Sequence, residues 1–309
     1  MKIVPAYFTV FLLVLLGITF FYKFTLNNGP PRRHHTTLLD ENSCVDLSHT
    51  IKDIVLVNLN PDNHNCNTKL KDEEIVNQCK KNLLLQNRSI SPLPDFKTPP
   101  PPSHTSEHHE KLQLKYQQRV MAGQCSLSKG MWRNNFNSRC SIVTMAELAN
   151  YKPGDLILDH GCGCGHQATV MTMLYGVRVI GVDINGAAIR WAKKHSIGTF
   201  YYTDGFNLSW IPDNTFDHFF SFATAHLVPP PDKCRFGSEV VRILKPQGSA
   251  LLGFVNSDMV FGFQPRSVWD CVGDIDGVTM SIYDDKDLYG SPDLSNPKGY
   301  SVILKINTK

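Results

Sequence analysis

The stretch LILDHGCGCGHQATVMTMLYG, Leu156 to Gly176, constrains this chain more than any other. A short apolar run bounded by glycines reads as a buried strand. Glycines at 161, 163 and 165 allow a tight turn. The next run reads as a helix that Gly176 ends. The pattern then repeats. VRVIGVDI predicts a second strand, and Asn185 caps a helix over GAAIRWAKKHS. TFYYTD and FDHFFSFA predict the third and fourth strands. Asp232 caps a helix carrying Phe236, Val240, Val241, Ile243 and Leu244, which Pro246 and Gly248 stop. GSALLGFV is a fifth strand. VTMSIYD and YSVILKIN alternate more clearly and predict an antiparallel edge hairpin. Strands alternating with helices imply a parallel sheet covered on both faces. The expected fold is α/β, a doubly wound, mostly parallel sheet of seven strands.

Three regions precede or carry this pattern. Residues 1–24 hold IVPAYFTVFLLVLLGITFFY, uncharged between Lys2 and Lys23, long enough to span a bilayer. No small-x-small cleavage site follows, so the reading is an uncleaved single-pass anchor through residues 3–22. Residues 25–110 read as a stem. KTPPPPSHTSEHHE, from Lys97, predicts an extended linker, and its His104, His108 and His109 read as solvated. IKDIVLVNLN and LKDEEIVNQCKKNLLLQ, with Cys44, Cys66 and Cys79, suggest a small stapled subdomain. Residues 111–309 are the expected enzymatic domain. Flanking charges do not orient the anchor firmly, because Lys2 stands on one side and Lys23, Arg32 and Arg33 on the other. Sequons at Asn87 and Asn207 and a count of nine cysteines favour the secretory lumen of the endoplasmic reticulum or Golgi. Thiols inside the glycine loop lean mildly toward the cytosol. Cys125 with Cys140 and Cys234 with Cys271 are candidate pairs. A net charge of +3 with no basic block gives no nucleic-acid surface.

The loop HGCGCGH admits two chemistries. Structural zinc sites usually separate paired cysteines by two to four residues, whereas Cys162 and Cys164 are separated by one. A centre built from His160, Cys162, Cys164 and His166 would consume the loop and misalign its strand and helix. No metal is expected. A loop between a strand and a helix in a doubly wound sheet binds ligands at the carboxyl ends of strands. Gly163, Gly165 and Ala168 formally match a dinucleotide pattern, which alone is weak. Asp159, Asp183 and Asp204 end the first three strands. A carboxylate at the second strand suits ribose hydroxyls. A carboxylate at Asp159 would repel a pyrophosphate and would suit a cofactor bearing an amino group. Two of these acids also have a plain structural reading: Asp159 as a helix cap, Asp204 as a turn former.

The ordered pieces DHGCGCG, VIGVD, YYTDG, FDHFFSF and RILKPQG, within Tyr151 to Val255, resemble class I S-adenosylmethionine-dependent methyltransferases of the methyltransferase domain 11 type. The resemblance implies a Rossmann-like fold and S-adenosylmethionine as cofactor. It implies that Gly161, Gly163 and Gly165 lie beside the methionine moiety with Asp159. It places Asp183 at the ribose, Asp204 and Gly205 at the adenine, and Phe222 beside the cofactor. LSKGMWRNNFNSRC and SIVTMAELANY would cover the site. The implied acceptor is a small molecule, lipid or glycan, attacked through a hydroxyl. His226, after the fourth strand in SFATAHLVPPP, is the candidate general base, with an ordinary pKa near 6.5. A polar loop residue is the plain alternative. The Asp/Asn-Pro-Pro-Tyr signature of amide and adenine methylation is absent there. The alternatives are an NAD-dependent oxidoreductase, in which Asp159 has no role, and an inactive cofactor-binding scaffold.

Overall fold

The computed structural model describes residues 81–82, 93–102, 111, 114–115, 117–118, 120–121, 123, 125, 136–203, 205–253, 255, 265–289 and 299–307. The expected anchor, the Cys44/Cys66/Cys79 subdomain, Asn87, the linker histidines and Asp204 lie outside them. Among the described residues no helix is long and apolar enough to cross a membrane.

Helix α1 (Phe136–Ala149) precedes β1 (Leu156–His160), α2 (His166–Tyr175), β2 (Arg178–Asp183), α3 (Gly186–His195), β3 (Thr199–Tyr202) and β4 (Phe216–Phe222). Then come α4 (Lys233–Ile243), β5 (Leu244–Gly253), α5 (Asp270–Gly273), β6 (Val278–Asp284), α6 (Asp285–Tyr289) and β7 (Tyr300–Ile306). The seven strands lie in the order β3-β2-β1-β4-β5-β7-β6. β1 to β5 are parallel, and β7 runs antiparallel to both neighbours. Strand order reverses direction between β1 and β4, which is where a doubly wound sheet opens its ligand crevice.

Alternation along the strands sorts the core into two layers. Ile157, Val179, Phe220 and Leu251 pack with Ile142 and Met145 of α1, Ala168 and Met171 of α2, and Ile189 of α3. Leu158, Ile180, Phe219 and Leu252 pack with Phe236, Val240 and Ile243 of α4 and with Trp269. Strands buried on both faces explain their unbroken apolar runs. Asn185 caps α3 as expected, accepting from the Ala187 and Ala188 N–H groups at 3.1 and 3.2 Å.

Three expectations are corrected. Asp232 precedes α4 but makes no side-chain cap bond; its carboxylate pairs with Arg235 at 3.3 Å on the surface. α4 ends at Ile243, and Leu244 is already extended, so Pro246 and Gly248 do not stop the helix. They fall where the β4–β5 register slips between Phe216 and His218, with Gln247 at φ 67. That is a bulge, which tolerates residues a regular ladder rejects. The stem also reaches the body. Phe96 stacks on Phe216 at 6.0 Å and meets Trp210 edge-on at 5.7 Å. Leu93 packs on the same core, and the Asn82 Nδ2 donates to the Met173 carbonyl at 3.0 Å. Trp210 and Phe216 offer apolar surface that a free linker would leave wet, so part of the segment before residue 111 belongs to the domain.

Candidate active site

The glycine loop leaves β1 still tied to β2. The Gly161 and Cys162 N–H groups both donate to the Val182 carbonyl, at 2.8 and 3.1 Å. Its glycines have positive φ of 77, 54 and 73 at 161, 163 and 165. They do different work. A Cβ at Gly161 would overlap Thr224 of the loop after β4, and one at Gly165 would overlap Phe200 and Ser196. Those two glycines allow close packing. A Cβ at Gly163 would meet nothing within 4 Å, so there the backbone faces open space. That is the place where a ligand can approach the chain.

Asp183 organises this loop. One carboxylate oxygen accepts the Gly163 N–H at 2.8 Å and the other the Asn185 N–H at 2.6 Å. Burial raises its pKa, and these two bonds oppose the rise. Each oxygen keeps a further lone pair.

Asp159 is different. It is fully buried, and neither carboxylate oxygen has a hydrogen-bond partner among the described residues. Burial, with the charge of Asp183 added, pushes its pKa up to about 8. The helix-cap reading of Asp159 fails, because Gly165 in left-handed conformation stands at the start of α2. Gly205, at φ 69, lets its backbone pass close to the His160 ring. Phe222, half-buried, ends β4 and stacks toward Phe220 at 6.5 Å. The next residue, Ala223, sits at φ 53, where a Cβ costs roughly 1–2 kcal/mol. Strain of this kind at a crevice marks a backbone held for a purpose.

His226 departs from the expectation. It is not an exposed loop residue with an ordinary pKa. It is 5% exposed in a 3-10 turn, Ala225–Leu227, with Nδ1 unpartnered among the described residues. Burial, then the Lys233 charge, lowers its pKa to about 4. It is neutral at pH 7 and a weak base. Sequence reasoning did not single out Lys233, in the first turn of α4. It is wholly buried, donates to the Ala225 carbonyl at 3.1 Å and lies 4.8 Å from the Trp269 ring centroid. Burial brings its ammonium down to about 8.

The cysteines and histidines of HGCGCGH each have separate work. His160 Nδ1 pairs with Ser221 Oγ at 3.0 Å, inside an aromatic group with Phe219 and Phe236. Cys162 is a buried free thiol whose pKa burial raises. His166 packs edge-on against Trp191 at 5.1 Å. Cys164 is bonded to Cys125, so the expected Cys125–Cys140 pair is corrected; the pair Cys234–Cys271 is present.

Known proteins share this stretch. Residues 157–248 match the family model described as Methyltransferase domain. The matched segment runs from β1 into β5 and contains the glycine loop. Phosphoethanolamine N-methyltransferase of Triticum aestivum is 33% identical over 111 residues, 34% of this chain and 21% of the relative. 2-Methyl-6-phytyl-1,4-hydroquinone methyltransferase of Synechocystis is 34% identical over 106 residues, 33% of this chain and 32% of the relative. The chain thus spans between a fifth and a third of these relatives' lengths. A solved structure of a TehB-like SAM-dependent methyltransferase from Corynebacterium glutamicum matches with TM-score 0.45 and 18% identity, over 65% of this chain and 98% of that one.

The residues present fit S-adenosylmethionine. Asp159, without a hydrogen-bond partner among the described residues, would take the amino group; Asp183 has lone pairs left for ribose hydroxyls; Gly163 leaves room for the ligand. A pyrophosphate would bring no cation to stabilise the charged form of Asp159, whose pKa stands at about 8.

Asp159 also predicts a pH dependence of stability. Its folded pKa of about 8 exceeds the unfolded value. Its contribution is therefore complete below about pH 4 and lost as pH rises toward 8. The slope from this one group reaches about 1.4 kcal/mol per pH unit. Urea unfolding of the ligand-free protein from pH 5 to 7.5 should show stability falling, and Asp159→Asn should remove that part of the slope.

Proposed function

We propose that this protein transfers the methyl group of S-adenosylmethionine to a hydroxyl of a small-molecule, lipid or glycan acceptor. The observation that carries the reading is the buried, unpartnered Asp159 beneath a glycine loop whose open position, Gly163, is held by Asp183. The match to the methyltransferase domain supports it. Relatives named for phosphoethanolamine and for a phytyl hydroquinone support a small or lipid-like acceptor. The donor supplies an electrophilic methyl, so the protein's task is alignment rather than activation. Gly161, Gly163, Gly165, Asp183, Asp204, Gly205 and Phe222 hold the donor with Asp159. Calorimetry with S-adenosylhomocysteine tests this. Gly163→Asn should abolish binding without unfolding, because Asn tolerates the left-handed backbone that a valine would strain. Asp183→Ala should weaken binding by about 1–3 kcal/mol. Unchanged affinity in both would sink the loop assignment.

His226 orients the acceptor hydroxyl through Nδ1 rather than serving as a base matched to neutral pH. It is neutral above about pH 5, given its pKa of about 4. Labelled S-adenosylmethionine with lipid, glycan and small-molecule extracts would find the acceptor. On that acceptor, His226→Ala should reduce turnover by a factor that stays constant from pH 6 to 8, with S-adenosylhomocysteine binding unchanged. A deficit confined to one limb of the pH profile would contradict the orienting role.

The body resides in the secretory lumen, tethered by residues 3–22. Two disulfides support this placement, since oxidising compartments keep such bonds. Cys164, one of the two loop cysteines, is oxidised, which weakens the lean toward the cytosol drawn from loop thiols. Asn207 is exposed, with its Oδ1 accepting from Ser209 Oγ at 2.6 Å, so it is not enclosed by the domain. Glycosidase treatment should increase electrophoretic mobility through loss of glycan at Asn87. No shift, with a protease-accessible body on sealed vesicles, would reverse the placement.

A further inference from the structure

Cys164 occupies the centre of the glycine loop. On one side stands Gly163, whose N–H is fixed by Asp183 at 2.8 Å. On the other stands Gly165, which opens α2. The Cys164 carbonyl accepts from Ser196 Oγ at 2.7 Å, after α3. Those ties all come from the sheet and its helices. The Cys164 side chain is tied differently. It is bonded to Cys125, 39 residues upstream and outside the strand-helix pattern, with a Cα–Cα distance of 5.6 Å. Cys125 is 1% exposed, and its backbone hydrogen-bonds the half-buried His166, the first residue of α2. One upstream residue thus grips both the loop and the start of the helix that follows it. A loop with glycines at alternate positions is conformationally permissive, and each freedom it keeps must be surrendered when a ligand binds.

We infer that the Cys125–Cys164 disulfide positions the glycine loop for the cofactor, so that cofactor affinity depends on the thiol–disulfide state of this pair. The inference rests on the S-adenosylmethionine reading above. The chemistry is a two-electron exchange with a dithiol. The S–S bond breaks, Cys125 and Cys164 become thiols by taking two electrons and two protons, and the reductant closes into its own disulfide. Cys234–Cys271 is the internal control: it joins α4 to α5, which pack on the opposite layer of the sheet.

Linkage makes the effect reciprocal. If the disulfide tightens cofactor binding, bound ligand must make the disulfide harder to reduce by the same factor. A bond that merely stabilises the fold elsewhere shows no such reciprocity. The test uses the full chain and S-adenosylhomocysteine. Affinity is measured by calorimetry on oxidised protein, on protein reduced with dithiothreitol, and on Cys125→Ala and Cys271→Ala. In parallel, equilibrium titrations with dithiothreitol, with and without saturating ligand, are read bond by bond by mass spectrometry of alkylated peptides. Reduced protein and Cys125→Ala should bind roughly 5- to 150-fold more weakly than oxidised protein. Oxidised Cys271→Ala should bind as the parent does. Ligand should raise the dithiol needed to open Cys125–Cys164 by the same factor and leave Cys234–Cys271 unmoved. If Cys125→Ala does not fold, the ligand-protection titration on the parent protein decides. Equal affinity of the oxidised and reduced forms, or no protection of Cys125–Cys164 by ligand, overturns the inference. Failure of oxidised protein to bind at all overturns the cofactor reading, and this inference with it.

Discussion

One carboxylate, Asp183, ties the ends of two strands into a single site. It ends β2, accepts the Gly163 N–H from the loop after β1, and accepts the Asn185 N–H at the start of α3. Without it, two part-buried backbone donors would lose the charged acceptor that fixes the loop. The same charge has a second effect. It adds to burial in pushing the unpartnered Asp159 up to about pH 8. One acid is therefore committed to the backbone, and the other is left unsatisfied. That division separates structural work from ligand work within a few ångströms of chain, and perturbed carboxylates in a crevice are candidates for function.

Much of this was legible in the sequence because local rules and the fold agreed. The strands between Leu156 and Gly253 carry continuous apolar runs, as strands buried on both faces must. Asn185 is a cap by both chemistry and position. The glycines at 161, 163 and 165 announced a loop, but not that two of them serve packing against Thr224 and Phe200 while only Gly163 faces open space. That distinction depends on neighbours distant in sequence. The same limit explains Asp232: an acid before a helix has the right position for a cap, yet its carboxylate swings to Arg235.

Long-range pairing hid the rest. Nothing near Cys164 names Cys125 as its partner, and Cys140 stood closer to Cys125 in sequence. Lysine at a helix start is usually solvated; here α4 turns Lys233 inward against Trp269 and the Ala225 carbonyl. With it, the environment of His226 changes. A histidine beside a buried ammonium stays neutral, so its value to catalysis lies in direction rather than in basicity. Phe96 shows the same limit at the domain edge, where a residue of the segment read as stem covers Trp210 and Phe216.

The central claim is that Asp159 waits, protonated, for a cationic group. Calorimetry of S-adenosylhomocysteine binding at pH 7, repeated in buffers of different ionisation enthalpy, counts the protons exchanged. With a ligand-free pKa of about 8, the account predicts release of roughly 0.9 proton per ligand as the ammonium draws Asp159 into its charged form, and no such release from Asp159→Asn. Binding of the parent protein with no net proton release would contradict it.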